Sequence, residues 1–117
     1  MNTPGSSFVQ RFCDCEVEGF AVVMSNFNKY IDDVWDIPVR KYDNQNTYIS
    51  VFELRADAEM ELGQSPKGMN LIVESVSFDD VATRIKFLKE VAPAPVFLFL
   101  KDAAGKWARI AQKSESD

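Results

Sequence analysis

The 117-residue chain contains no histidine and only two cysteines, Cys13 and Cys15. Without histidine, Ser-His-Asp and Cys-His catalysis in their usual forms and most zinc sites are excluded. Neither of two common phosphate-binding motifs, G-x-x-x-x-G-K-[ST] and G-x-G-x-x-G, occurs in the sequence. These absences favour a protein that is not an enzyme, and we expect neither a cofactor nor a bound metal.

Long apolar runs are also absent, since no stretch approaches the roughly 18 residues that would suggest a membrane span. The opening segment MNTPGSS has no basic residue and no apolar core of a signal peptide. Two cysteines one residue apart cannot cross-link a small secreted fold. We therefore expect a protein of a reducing compartment, most simply a bacterial-type cytoplasm, with no membrane partner.

Positive charge is scarce, because 13 Lys and Arg against 18 Asp and Glu give a net charge of −5. The imbalance lies in residues 1–62, which carry 5 basic and 11 acidic side chains, a balance of −6. Nucleic-acid binding needs a basic surface, so we expect no nucleic-acid partner. An acidic half suits a basic protein partner, although negative charge also serves solubility alone.

Apolar side chains, by contrast, are plentiful. Hydrophobic residues make up 46% of the chain, and 9 Phe, 3 Tyr and 2 Trp supply core volume. The length fits a single domain, with residues 1–6 and 112–117 expected as flexible tails. Because so small a domain struggles to cover this many rings, we expect an aromatic-lined pocket or an apolar homodimer face.

The longest periodic pattern lies at the start of the chain. Apolar side chains recur at steps of three and four from Val9 to Trp35, which predicts one long amphipathic helix or two collinear ones. Ser7 and Gln10 fit the capping box that begins such a helix. Pro38 ends the pattern, because the residue before a proline is pushed out of the helical region.

A competing interpretation places strands in the same region. Residues 13–18 alternate apolar and acidic side chains, FAVVM at 20–24 suits a buried strand, and Gly19 supports a break in the helix. The helix puts Cys13 in the core and Cys15 in solvent, whereas the strand puts both thiols on one face. Flanking carboxylates raise the pKa of a thiol, so we expect a packing cysteine beside a surface cysteine rather than a reactive pair.

After Pro38 the apolar period becomes two, which is typical of strands. PVRKY and NTYISVFEL predict strands joined by a turn-rich link, and MNLIVESVSF predicts a later one. Alternation from Phe52 to Leu62 predicts that the second strand is long, with a solvent-exposed acidic row of Glu53, Asp57, Glu59 and Glu61.

The C-terminal part predicts a helix and a hairpin. Ser77 and Asp80 match a capping box for a helix over residues 78–92. VFLFL at 96–100 predicts an interior strand, and KWARIA pairs back to it through a turn with Gly105 left-handed. The fold class is therefore α+β: a two-layer sandwich in which the long N-terminal helix and a second helix cover one face of a mostly antiparallel sheet of about five strands, in the order α-β-β-β-α-β-β.

Two sets of side chains are candidates for function. The candidates for binding a small apolar ligand are Tyr30, Trp35, Arg40, Tyr42 and Trp107. The candidates for an acidic patch that binds a basic protein are Asp14, Glu18, Asp32, Asp33, Asp36, Asp57, Glu59 and Glu61.

The first set predicts a small non-enzymatic binding module with an aromatic-lined pocket, a homodimer face, or both. The second set predicts the alternative, an acidic interaction module such as an immunity protein, an antitoxin or an inhibitor that mimics nucleic acid. An enzyme that uses Asp32 or Asp36 with Arg40 or Tyr42 ranks last, because no spacing fixes a geometry for paired carboxylates.

Overall fold

The computed structural model describes residues 7–24, 37–38, 40–41, 47–65, 70–91 and 96–110. Within these ranges the helices are α1 (Phe8–Cys13), α2 (Arg55–Gly63) and α3 (Phe78–Val91). The strands are β1 (Gly19–Met24), β2 (Arg40–Lys41), β3 (Thr47–Phe52), β4 (Leu71–Val76), β5 (Val96–Lys101) and β6 (Trp107–Ile110). None of the helices in these ranges is both long and apolar enough to cross a membrane.

The strands form one sheet in the order β4-β1-β3-β5-β6, and β2 pairs with the first residues of β3. β3 and β5 run parallel, and the other paired strands run antiparallel. The predicted α+β class with a mostly antiparallel sheet is therefore confirmed. β5 lies inside the sheet between β3 and β6, as its apolar sequence predicts.

One face of the sheet packs against α1 and α3, and we name it the helix-covered face. Its core comprises Phe8, Phe12, Ala21, Val23, Ile37, Ile49, Val51, Val76, Val81, Ile85, Val96, Leu98 and Leu100. A second, smaller cluster lies on the opposite face, where α2 packs against β1, β3 and β4. It comprises Val22, Phe52, Ala58 and Val73. The two predicted helices therefore share a face, and α2 adds a helix that the sequence pattern did not indicate.

The predicted long N-terminal helix is wrong in its extent. α1 ends at Cys13 and β1 begins at Gly19, so the competing strand at 20–24 is confirmed. Ala21, Val22 and Val23 are all buried because both faces of β1 are covered, and a strand apolar on both faces also satisfies a helical period. The break is built into the backbone, since Cys15 adopts a left-handed φ of 64°.

The predicted long strand is wrong beyond Phe52, because residues 55–63 form α2. Its sequence, RADAEMELG, is rich in strong helix formers. Ala58 and Leu62, four residues apart, place one face of the helix against the sheet. The regular alternation of acidic and apolar residues in this segment therefore does not mark a strand.

Local signals at element ends are confirmed. The backbone N–H of Asp80 donates to Ser77 Oγ at 3.1 Å, and the Asp80 carboxylate accepts from the Ser77 N–H at 3.0 Å, which is the reciprocal capping box. Ser7 Oγ likewise accepts from the Gln10 N–H at 3.2 Å. Gly105 has a φ of 86° in the β5–β6 hairpin, where a left-handed residue is favoured as glycine.

Candidate functional site

The face of the sheet opposite α1 and α3 carries rings on three adjacent strands. Side chains alternate along a strand and paired residues share a face, so the register of β3, β5 and β6 fixes the members of this face. We name it the aromatic face, and it comprises Tyr48, Ser50, Phe52, Phe97, Phe99, Lys101, Trp107 and Arg109.

The rings of this face form a connected series. The Tyr48 and Phe99 centroids are 5.0 Å apart, and the Trp107 ring lies 6.3 Å from Phe99 at 73°. Trp107 also meets Phe52 nearly edge-on at 5.6 Å. These separations lie within the range in which aromatic pairs attract, so the series is a preformed ring surface. Trp107 keeps 48% of its surface exposed at the border of the sheet.

Ser50 places a polar atom among these rings. The residue is only 5% exposed, and its Oγ has no hydrogen-bond partner among the described residues. Ser50 lies between Tyr48 and Phe52 on the same face of β3, and it is paired with Phe99 on β5. A buried hydroxyl left without a partner costs about 1–3 kcal/mol, so this position is unfavourable unless another group satisfies the hydroxyl.

We expect Ser50→Ala to raise the free energy of unfolding by about 1 kcal/mol, because it removes a buried hydroxyl without a partner. Urea denaturation followed by circular dichroism measures the change. Ser75→Ala is the matched control, since Ser75 is exposed on β4 and its hydroxyl donates to Glu18, so its stability should change little. A Ser50→Ala protein less stable than the parent would show that the hydroxyl is satisfied in the fold.

Two cations lie on the aromatic face. Lys101 Nζ is 5.7 Å from the Trp107 centroid and 3.9 Å from Asp57 Oδ1 on α2. Arg109 Cζ lies 5.1 Å from the Phe97 centroid, a cation–π distance, and Arg109 is exposed. The β5 and β6 positions of this face therefore carry two positive charges and no acid, in a chain whose net charge is −5.

Of the candidate ligand-binding residues, the structure places Trp107 on the aromatic face. Arg40 lies in β2, and its pairing with Tyr48 puts its backbone position on the same face. Three further candidates fall outside the described residues: Tyr30, Trp35 and Tyr42. Sequence reasoning missed Arg109, which lies two residues from Trp107 on the same face of β6. It also missed Ser50, which only the pairing of β3 with β5 brings next to these residues.

The acidic candidates in the described ranges belong to different layers. Asp14 follows α1 and accepts from Gln10 Nε2 at 2.8 Å, whereas Asp57, Glu59 and Glu61 lie on α2, across the sheet. Glu18 precedes β1 and accepts from the Ser75 hydroxyl. Asp32, Asp33 and Asp36 lie outside the described residues. The predicted acidic row along one strand is wrong, because its residues from Asp57 onwards are helical.

The two thiols divide as the helical interpretation predicts. Cys13 is the last residue of α1 and is half-buried against the core. Its burial, followed by the negative charge of Asp14, raises its pKa. Cys15 is exposed with its Sγ 3.8 Å from Asp79 Oδ1, and local desolvation, then the Asp79 charge, raises its pKa. Both thiols therefore hold their protons more firmly than a free cysteine, which disfavours a nucleophilic role.

Comparison of the chain with protein-family models, with curated proteins and with solved structures finds no match. In the part of the chain that the structure describes, no three Cys, Asp or Glu side chains are grouped so that they could hold a metal ion. The feature that points to a function is therefore the aromatic face, which combines rings, a buried hydroxyl and two cations.

Proposed function

We propose that this protein is a small binding module that holds a planar, mainly apolar ligand against the aromatic face. The observation that carries the proposal is the 48% of the Trp107 surface that stays exposed at the end of a connected series of rings. Binding sites for small molecules combine apolar walls with a few placed polar groups. The ring series is such a wall, and the exposed Arg109 on the same face is such a polar group.

Trp107 is also held in place before a ligand binds. Its ring is held edge-on by Phe52 and Phe99, so little side-chain freedom remains to be lost when a ligand binds. Covering apolar surface contributes about 25 cal/mol per Å², and an aromatic pair adds about 0.5–1.5 kcal/mol beyond its area. A planar ligand therefore gains more at this site than a flexible aliphatic ligand of the same size.

A neutral fluorescent naphthalene, N-phenyl-1-naphthylamine, tests the proposal as a probe. We expect saturable fluorescence enhancement by the parent protein and about tenfold weaker binding by Trp107→Ala, which corresponds to about 1.4 kcal/mol of lost contact. Phe87→Ala is the matched control, because Phe87 is equally exposed at 48% but lies on α3, across the sheet, so it should leave binding unchanged.

Equal loss of binding in both variants, or no saturation by the parent protein, would contradict a site on the aromatic face. Light scattering of the same samples separates a ligand site from a homodimer face. A homodimer through this face would dissociate in Trp107→Ala, whereas a ligand site leaves the molar mass of the parent and the variant the same.

A further inference from the structure

We propose that the ligand of the aromatic face is a planar aromatic carboxylate, whose negative charge is bound by Arg109. This inference rests on the proposed function and adds the chemical class of the ligand. It follows from the position, the surroundings and the hydrogen-bonding capacity of the Arg109 guanidinium.

The position comes from strand register. Ser50 on β3 is paired with Phe99 on β5, and Phe99 is paired with Arg109 on β6. Hydroxyl, ring and guanidinium therefore form one row across three strands. Neighbouring strands lie about 4.8 Å apart, so the backbone positions of Ser50 and Arg109 are about 10 Å apart. A ligand ring that lies over Phe99 would therefore be one strand away from the backbone position of Arg109.

The surroundings make Arg109 available to an anion. Its guanidinium forms no ion pair with any described residue, and it stacks over Phe97 with Cζ 5.1 Å from the ring centroid. Lys101 differs, because Asp57 lies 3.9 Å from its Nζ and offsets its charge. Of these two cations, Arg109 is therefore the one whose charge no described acid balances, and a ligand anion meets it there.

The guanidinium also selects the type of anion. Its planar fork of N–H donors matches the two oxygens of a carboxylate in a bidentate arrangement. Stacking on Phe97 limits the rotation of the fork, which lowers the entropy lost when the pair forms. A carboxylate in the plane of its own ring can thus contact Arg109 while that ring lies against Trp107.

The test compares 2-naphthoate with 2-naphthamide, which has the same shape and no charge. Each is used to displace N-phenyl-1-naphthylamine from the 117-residue protein, and probe fluorescence gives the affinity. We expect naphthoate to bind about tenfold more tightly than naphthamide, since charge-assisted hydrogen bonds are about twice as strong as neutral ones. Arg109→Gln should abolish this difference.

Lys106→Gln is the matched control, because it removes the same charge from an exposed residue of the same hairpin and should keep the preference for naphthoate. Arg109→Lys should keep part of the preference, because the charge remains and the fork is lost. Equal competition by the two compounds, or an equal loss in Lys106→Gln, would overturn the carboxylate proposal while probe binding still supports the site. Absence of probe binding by the parent protein would overturn the proposed function itself.

Discussion

Phe12→Ala should lower the free energy of unfolding by about 3–5 kcal/mol, the usual cost of truncating a buried Phe. Phe12 has no exposed surface. Its ring lies 5.6 Å from that of Phe8 and meets Phe78 of α3 edge-on at 5.9 Å. Removal leaves a cavity where α1, α3 and the sheet meet. Because domains of this size are stable by about 5–15 kcal/mol, a large part of the total stability depends on this ring.

Urea denaturation followed by circular dichroism measures the Phe12→Ala effect, with Gln10→Ala as the control. Gln10 lies on the same helix but is exposed, so its loss should change stability by less than about 0.5 kcal/mol. Phe12→Leu should give an intermediate cost, because it leaves a smaller cavity. A loss below about 1 kcal/mol for Phe12→Ala would show that α1 is not docked as the structure has it.

Gly19→Ala should also have a large effect, because overpacking lowers the free energy of unfolding by about 2–3 kcal/mol. A Cβ at Gly19 would overlap Val51 Cγ1, and it would lie 3.0 Å from Phe8 Cζ and 3.1 Å from the Phe52 carbonyl oxygen. Glycine is required here because the start of β1 lies in close contact with both β3 and Phe8 of α1. The carbonyl cannot move away without disturbing β3, so the strain cannot relax through side chains alone.

Gly63→Ala is the matched control for Gly19→Ala, since a Cβ at Gly63 meets no atom within 4 Å. In α2 this change should be neutral or stabilising by about 0.5–1 kcal/mol. Val51→Ala removes the atom that a Cβ at Gly19 would overlap, so the double variant should cost less than the sum of the single changes. If the two single effects on the free energy of unfolding simply added in the double variant, residues 19 and 51 would not be in contact.

The C-terminal half of the fold could be predicted because its signals are local. The Ser77 and Asp80 capping box is formed by residues three apart, and the β5–β6 turn depends on the left-handed freedom of Gly105. Neither feature needs a distant partner to be stable, so neighbouring residues are enough to identify it.

The predictions for the N-terminal half were wrong where burial, rather than the period of the apolar residues, decides between helix and strand. Residues 20–24 are apolar on both sides because α2 covers one face of β1 and α1 with α3 covers the other. The same residues also fit the apolar period of three to four that is typical of a helix. Only the elements packed on both faces of β1 exclude that helix. In α2 the reverse holds, since an alternating sequence folds as a helix once Ala58 and Leu62 contact the sheet.

By itself the sequence determined the α+β class, the capping of α1 and α3, the β5–β6 hairpin, and Trp107 as a candidate binding residue. Only the tertiary structure decided that Ser50, Phe99 and Arg109 lie in one row. Ser50 is far from the other two residues in the chain, and its place beside them depends on the parallel pairing of β3 with β5. Strand pairing of that kind is fixed by the shared core of the whole sheet, which no local pattern encodes.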